Sequence, residues 1–243
     1  MFSIAITTFN RHDMIGAALI NIIDNQFVDE IIISDDCSDD FKDLERVVTA
    51  LSKIYDKPIK LYKNSRNMGS FWNKCIAVEY CEPGAQVVLF DSDNVMCRDS
   101  LSVLRLVQPA NNEILCPEIA WPNFDYRHLL KDIGKTEGAH MNKEFVQKFI
   151  GEDKLLHFMN TGNFCFNREF FLDAVKNMKH HFDCSASCSI YLNFLFLRSG
   201  GILRIVPGWK YFHRIHDGSY WIQNDVKAIA AAKRIIEEIR KMK

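Results

Sequence analysis

Residues 85–94 read AQVVLFDSDN. The short apolar run has the length of a buried strand, and it delivers Asp91 and Asp93, one residue apart, at its carboxyl end. Like charges that close cost free energy unless a cation or a shared proton offsets them. The pair therefore requires a partner, and the placement of the strand decides which partner it meets.

Upstream, strand and helix patterns alternate. SIAITTF (3–9), EIIIS (30–34) and PIKLY (58–62) read as strands; MIGAALINII (14–23), FKDLERVVTALSKIY (41–55) and GSFWNKCIAVEYC (69–81) carry apolar residues at helical spacing. That alternation implies crossover connections and a mainly parallel sheet, and such sheets bind ligands beyond the carboxyl ends of their strands. TTFNR, SDDCSDD, NSRNMG and DSDN stand at four such ends, so loops far apart in sequence are expected on one rim.

Downstream the pattern loosens. SLSVLRLVQ (100–108) reads as a helix and NEILCP (112–117) as a strand, while residues 121–145 mix aromatic, charged and Gly positions and read as a loop-rich insertion. Order returns with a strand at GNFCFN, helices at REFFLDAVKNM and SIYLNFLFLRSG, and two strands, GILRIVP and WKYFHRIH. The stretch 221–243 is an amphipathic helix with Ile222, Val226, Ile229, Ile235, Ile236 and Ile239 on or near one face. Its six basic against three acidic residues could aid contact with an anionic surface, but a helix packed on the core is the simpler reading.

The chain of 243 residues, 48% hydrophobic and 25% charged, has the composition of an ordinary globule. A net charge of -1 gives no overall field to attract nucleic acid, so acidic ligands must be held locally. No basic region precedes a long apolar stretch at the amino terminus, and no later segment approaches a membrane span, which reads as cytoplasmic and unanchored. Six of the eight cysteines are scattered as reduced core thiols would be. HHFDCSASC (180–188) groups His180, His181, Asp183, Cys184 and Cys188, but lacks the second ligand pair of a zinc finger.

TTFNR, ISDDCSD, NMGSFWNKCIA and LFDSDN, in this order over roughly residues 3–98, resemble the successive signatures of family 2 glycosyltransferases. The resemblance implies an α/β GT-A fold: a Rossmann-type, mainly parallel sheet flanked by helices, a smaller mixed α/β acceptor region and the C-terminal amphipathic helix. It divides one continuous domain into a nucleotide-sugar half (1–98), an acceptor and catalytic half (99–221) and the helix (222–243). It implies transfer from a UDP-sugar to an unidentified acceptor hydroxyl, with inversion and with Mn2+ or Mg2+ as cofactor.

Carried residue by residue, the resemblance makes Asp93 the main metal ligand and Asp91 a ribose or metal-water contact. His216, in RIHDGS, completes the metal shell or touches phosphate. Asp36 accepts from uracil N3, Phe9 stacks on the base and Thr7 lies nearby. Arg11 and Arg66 are placed to approach phosphate, and Asn67 and Gly69 close over the nucleotide. Plainer readings coexist: Asp36, Asp39 and Asp40 suit helix capping, Phe9 suits a core, and Asn67 and Gly69 suit a turn. Asn160 and Gly162 read as sugar or acceptor contacts or as a turn before a strand.

The resemblance breaks at the catalytic base. Where inverting members carry Glu-Asp, this chain has Cys188 and Ser189. Asp183, slightly upstream, is the substitute base. The rival readings are a scaffold that binds sugar nucleotides without transfer, and a phosphohydrolase using the Asp-x-Asp pair; the latter leaves the upstream motifs unexplained and finds no later acidic pair.

Overall fold

In the computed structural model, residues 1–107, 109–132, 140–149, 159–160, 162–176, 178, 182–216 and 218–242 are described. The first half follows the expected alternation: β1 (Phe2–Thr8), α1 (Ile15–Leu19), β2 (Val28–Asp35), α2 (Phe41–Tyr55), β3 (Ile59–Lys63), α3 (Ser70–Glu79) and β4 (Gln86–Asp91). These four strands pair in parallel in the order β3-β2-β1-β4. Every residue of β1 is buried, as a central parallel strand covered on both faces requires.

The second half comprises β5 (Val95–Met96), α4 (Ser100–Val107), β6 (Glu113–Trp121), β7 (Phe124–Asp125), α5 (Tyr126–Asp132), β8 (His140–Met141), α6 (Lys143–Lys148) and β9 (Phe164–Asn167). It ends with α7 (Arg168–Lys176), α8 (Cys188–Arg198), β10 (Ile202–Phe212) and α9 (Tyr220–Lys241). The sheet continues through β4-β9-β6-β10-β5, with β7 on β6 and β8 on β10. Strand β9 runs antiparallel between β4 and β6, so one mixed sheet joins both halves of the chain.

Two-residue periodicity divides the core. Ala5, Ile32, Val87 and Leu89 pack with Phe71 of α3, Phe196 of α8 and Ile235 of α9. Ile4, Ile6, Ile33, Val88 and Phe90 pack on the other face with Leu19, Leu44 and Leu104. Helix α8 is buried from Cys188 through Leu197, which explains its mostly apolar sequence; the buried Asn193 amide donates to Met159 O at 2.9 Å.

Four expectations change. The stretch 121–145, expected to be loop-rich, carries β7, α5, β8 and the start of α6 among its described residues. The helix over 14–23 shrinks to α1, followed by turns. The two strands of GILRIVP and WKYFHRIH are one: β10 passes through Pro207 and Gly208 by a register shift against β6, a bulge that spares Pro the ladder bond it cannot make. His213 and His216 lie beyond its end and share no strand face. Helix α9 is interrupted at Asn224 (φ -133°, ψ 22°), and only its later part packs on the core. Ala228, Ile235 and Ile239 are buried, whereas Ile222 (51%), Val226 (75%) and Ile229 (47%) are exposed.

Candidate active site

Backbone bonds beyond the strand ends fix the rim. Ser92 N–H donates to Thr7 O (3.1 Å), Asp36 N–H to Thr8 O (2.9 Å) and Asn64 N–H to Asp35 O (2.8 Å). From α3, the buried Asn73 amide donates to Ser34 O at 3.0 Å and accepts from Ser34 Oγ at 2.6 Å, locking the helix start against β2.

Asp91 and Asp93 each meet a protein cation. Asp91 Oδ1 accepts from Thr7 Oγ1 at 3.1 Å and from the buried Lys74 ammonium. Burial works against the Lys74 charge, but the adjacent Asp91 outweighs it and holds the ammonium above the ordinary lysine value. Asp93 Oδ2 accepts from Arg11 Nη1 at 2.5 Å and lies 3.4 Å from His216 Nε2. The Arg214 guanidinium donates to the carbonyls of Asp93, Ser92 and Met14, clamping the loop that carries the pair. Among the described residues no hydrogen bond falls on Asp91 Oδ2 or Asp93 Oδ1.

The neighbouring loop is organised by Asp36. Its Oδ1 accepts from Met68 N–H (2.7 Å) and Asn64 Nδ2 (3.0 Å), and its Oδ2 accepts from Gly69 N–H (2.8 Å). Asn67 Oδ1 also accepts from Gly69 N–H at 3.0 Å, closing the turn that Gly69 completes at φ 83°. Arg66 is exposed beside it, without an ion pair among the described residues. Phe9 is 41% exposed, so it is not a core residue. Asp40 stands at the N-cap position of α2 without a side-chain capping bond. It accepts instead from His12 Nδ1 (2.6 Å) and His12 N–H (3.2 Å), and this hydrogen bond raises the His12 pKa.

A cavity of about 830 Å³ opens beside the carboxylates, bringing together Arg11, Lys74, Asp91, Asp93, Asn160 and Gly162. Thr7, Phe9, Asp36, Arg66, Asn67, Gly69 and His216 are not among its lining residues. Asn94 is 2% exposed, lines the cavity, and its Oδ1 has no protein partner among the described residues. Gly162 approaches Tyr211 so closely that a Cβ would stand 3.0 Å from the phenolic oxygen. His213, also on the wall, has Nδ1 at 2.9 Å from Asn123 Oδ1.

Asp183 does not reach this cavity. It is exposed, its carboxylate accepts from Ser185 N–H at 3.0 Å in a turn, and its carbonyl accepts from Arg234 at 3.2 Å. Cys188 and Ser189 line the wall instead. His180 and His181 lie outside the described residues; Cys184 and Cys188 are buried and free, and burial pushes the Cys184 thiol up. Among the described residues, no three His, Cys, Asp or Glu side chains form a ready metal cage, Asp91, Asp93 and His216 included.

The profile of Glycosyl transferase family 2 matches residues 3–191, a span that contains the rim and both carboxylates. The chain belongs to this family. No curated protein sequence matches it. Among solved structures, Staphylococcus aureus TarS 1–349 in complex with UDP superposes at TM-score 0.69 with 12% identity, over 98% of this chain and 64% of that one. The mannosyltransferase PcManGT from Pyrobaculum calidifontis, in complex with GDP-Man and Mn2+, gives TM-score 0.66 and 15% identity over 99% and 69%. GalNAc-T7 with UDP, GalNAc and Mn2+ gives 0.61 and 15% over 95% and 48%. The family 2 chain thus has the GT-A fold and spans under two thirds of TarS 1–349.

Sequence reasoning missed six residues of this candidate site, among them Asn94 within the quoted DSDN and His213 within WKYFHRIH. Lys74 and Asn73 lie inside the quoted NMGSFWNKCIA; polar residues in a helix with apolar neighbours on every side were the available signal. Arg214 opens the quoted RIHDGS. Asn123, which meets His213 only through the fold, left no signal.

Proposed function

We propose that the protein transfers a sugar from a nucleoside-diphosphate donor, a UDP-sugar, to an acceptor hydroxyl with inversion and with the help of a divalent cation. The observation that supports this best is the pair Asp91 and Asp93, each with one unengaged carboxylate oxygen, at the edge of a cavity of about 830 Å³. Oxygen donors suit a hard cation such as Mg2+ or Mn2+, which takes the rest of its shell from phosphate and water. Asp91 Oδ2 and Asp93 Oδ1 would hold it, with His216 beside them, and it would supply charge neutralisation at the departing diphosphate.

The chain's own residues do the remainder. Phe9 offers an exposed ring to the base, and Asp36 Oδ2 retains a lone pair for a base N–H. Arg11 gives a guanidinium to phosphate, with Arg66, Asn67 and Gly69 at the nucleotide rim. Lys74 and Thr7, both bound to Asp91 Oδ1, orient its carboxylate. Asn94, Asn160 and Gly162 face the sugar or acceptor. His213 takes the acceptor proton in place of Asp183: its Nδ1–H donates to Asn123 Oδ1, which leaves Nε2 as the basic nitrogen. Free thiols throughout and a soluble donor fit the cytoplasm.

The missing carboxylate at Cys188 and Ser189 favours a second reading, a scaffold that binds the donor without transferring it. A thermal-shift screen of UDP-, GDP- and CMP-sugars with and without Mn2+, followed by an assay of slow donor hydrolysis, tests both. Stabilisation requiring UDP-sugar and metal together, with hydrolysis, is the expected result. Binding without hydrolysis or transfer selects the scaffold, and no binding removes both.

A further inference from the structure

We infer that the phenol of Tyr211, with Gly162 against it, hydrogen-bonds a hydroxyl of the donor's sugar and so selects which sugar is transferred. This rests on the transferase reading and names a specificity residue of the same cavity. Tyr211 stands near the end of β10 and is buried. Its ring meets those of Phe90 and His213 edge to face, with centroids 6.1 and 6.3 Å apart, so the side chain is held in one direction. The hydroxyl is bonded to no protein group among the described residues, and it is not sealed off from the cavity that Tyr211 lines. A buried phenol ordinarily has a hydrogen-bond partner, and here the partner has to come from the cavity.

Gly162 supplies the space for that partner and ties the phenol to the carboxylates. Its φ lies outside the left-handed region, so the backbone conformation does not call for glycine, yet a Cβ would stand 3.0 Å from the phenolic oxygen. The segment that carries it is fastened on three sides. Asn193 Nδ2 donates to Met159 O at 2.9 Å, Tyr126 Oη donates to Asn160 O at 3.2 Å, and Asn163 Oδ1 accepts from Asp91 N–H at 3.2 Å. A side chain at 162 would therefore displace the hydroxyl or fill its approach rather than move the wall. The last of these bonds also sets the phenol beside the acid pair that would hold the cation and the diphosphate. The group joined to that diphosphate, the sugar, then lies within its reach. Burial, followed by Asp91 and Asp93, pushes the Tyr211 pKa above the ordinary tyrosine value, which keeps the phenol a neutral donor suited to a sugar oxygen.

The test is calorimetry on the full chain with Mn2+, titrating UDP and, separately, UDP-glucose, UDP-galactose and UDP-N-acetylglucosamine. For the sugar nucleotide bound best, Tyr211→Phe should weaken affinity about tenfold, the scale of one hydrogen bond, while UDP affinity and melting temperature stay unchanged. Gly162→Ala should give a similar loss. The double variant should lose little more than Tyr211→Phe alone, because both substitutions act on the same hydroxyl. Equal loss of UDP and UDP-sugar affinity overturns the inference, since Tyr211 then only supports the fold. Unchanged UDP-sugar affinity in Tyr211→Phe also overturns it, and slower transfer in that case moves the phenol to the acceptor. UDP binding with none of the three sugar nucleotides bound overturns the inference alone; no UDP binding by the unaltered protein removes the transferase reading beneath it as well.

Discussion

The charged groups that follow β1 and β4 face the same cavity as the wall formed by α8 and α9, with the Asp36 turn outside the lining, yet rim and wall are built by opposite rules. At the rim, polar groups hold polar groups: Lys74 on Asp91, Arg11 on Asp93, Asp36 on the turn at Gly69. At the wall, aliphatic side chains stand partly uncovered. Pre-arranged charge suits a ligand whose chemistry is constant, such as the diphosphate proposed above; an open apolar surface selects by shape and size. The rim should therefore fail abruptly when one charge is removed, and the wall gradually.

The comparison breaks most visibly at Asp93. Asp93→Asn should lower kcat/KM by about 1000-fold, the scale of losing one major electrostatic contact in a transition state, while leaving the melting temperature nearly unchanged. Equal losses in stability and activity would show the carboxylate to be structural. Lys74→Met leaves Asp91 without its buried partner and should cost about 3 kcal/mol in urea denaturation. Adding Asp91→Asn should recover part of that loss; full additivity of the two would dissolve the pair as a unit.

His213→Ala tests the boundary between rim and wall. It should reduce kcat by about 100-fold with unchanged affinity for UDP and Mn2+, the scale of losing one general base. The smallest effect lies at His12. Its hydrogen bond to Asp40 raises its pKa, so the stabilisation it adds is complete below the unfolded-state value near 6.5 and fades as pH rises through the higher folded value. Asp40→Asn should return the NMR titration of His12 toward 6.5.

The rim was legible because it is local: each motif follows its strand directly, and strand, loop and helix start are written in consecutive residues. The wall was not, since residues from 186 to 233 meet only through tertiary packing. Pro207 and Gly208 read as a strand break because the sequence cannot show that β6 supplies a register shift to absorb them. Asp183 is near Cys188 along the chain, but it is exposed, bound in a turn to Ser185 N–H, and not among the residues that line the cavity. The exposed stripe of α9 was read as core because periodicity reveals an apolar face, not what covers it.

Lys74 has an implication for how the protein lives with scarce ions. Because the counter-charge to Asp91 is covalently part of the chain, the acid centre is electrically quiet before any ion arrives, and folding need not wait for one. If the proposed cation dependence holds, stripping metal with a chelator should idle the molecule without melting it.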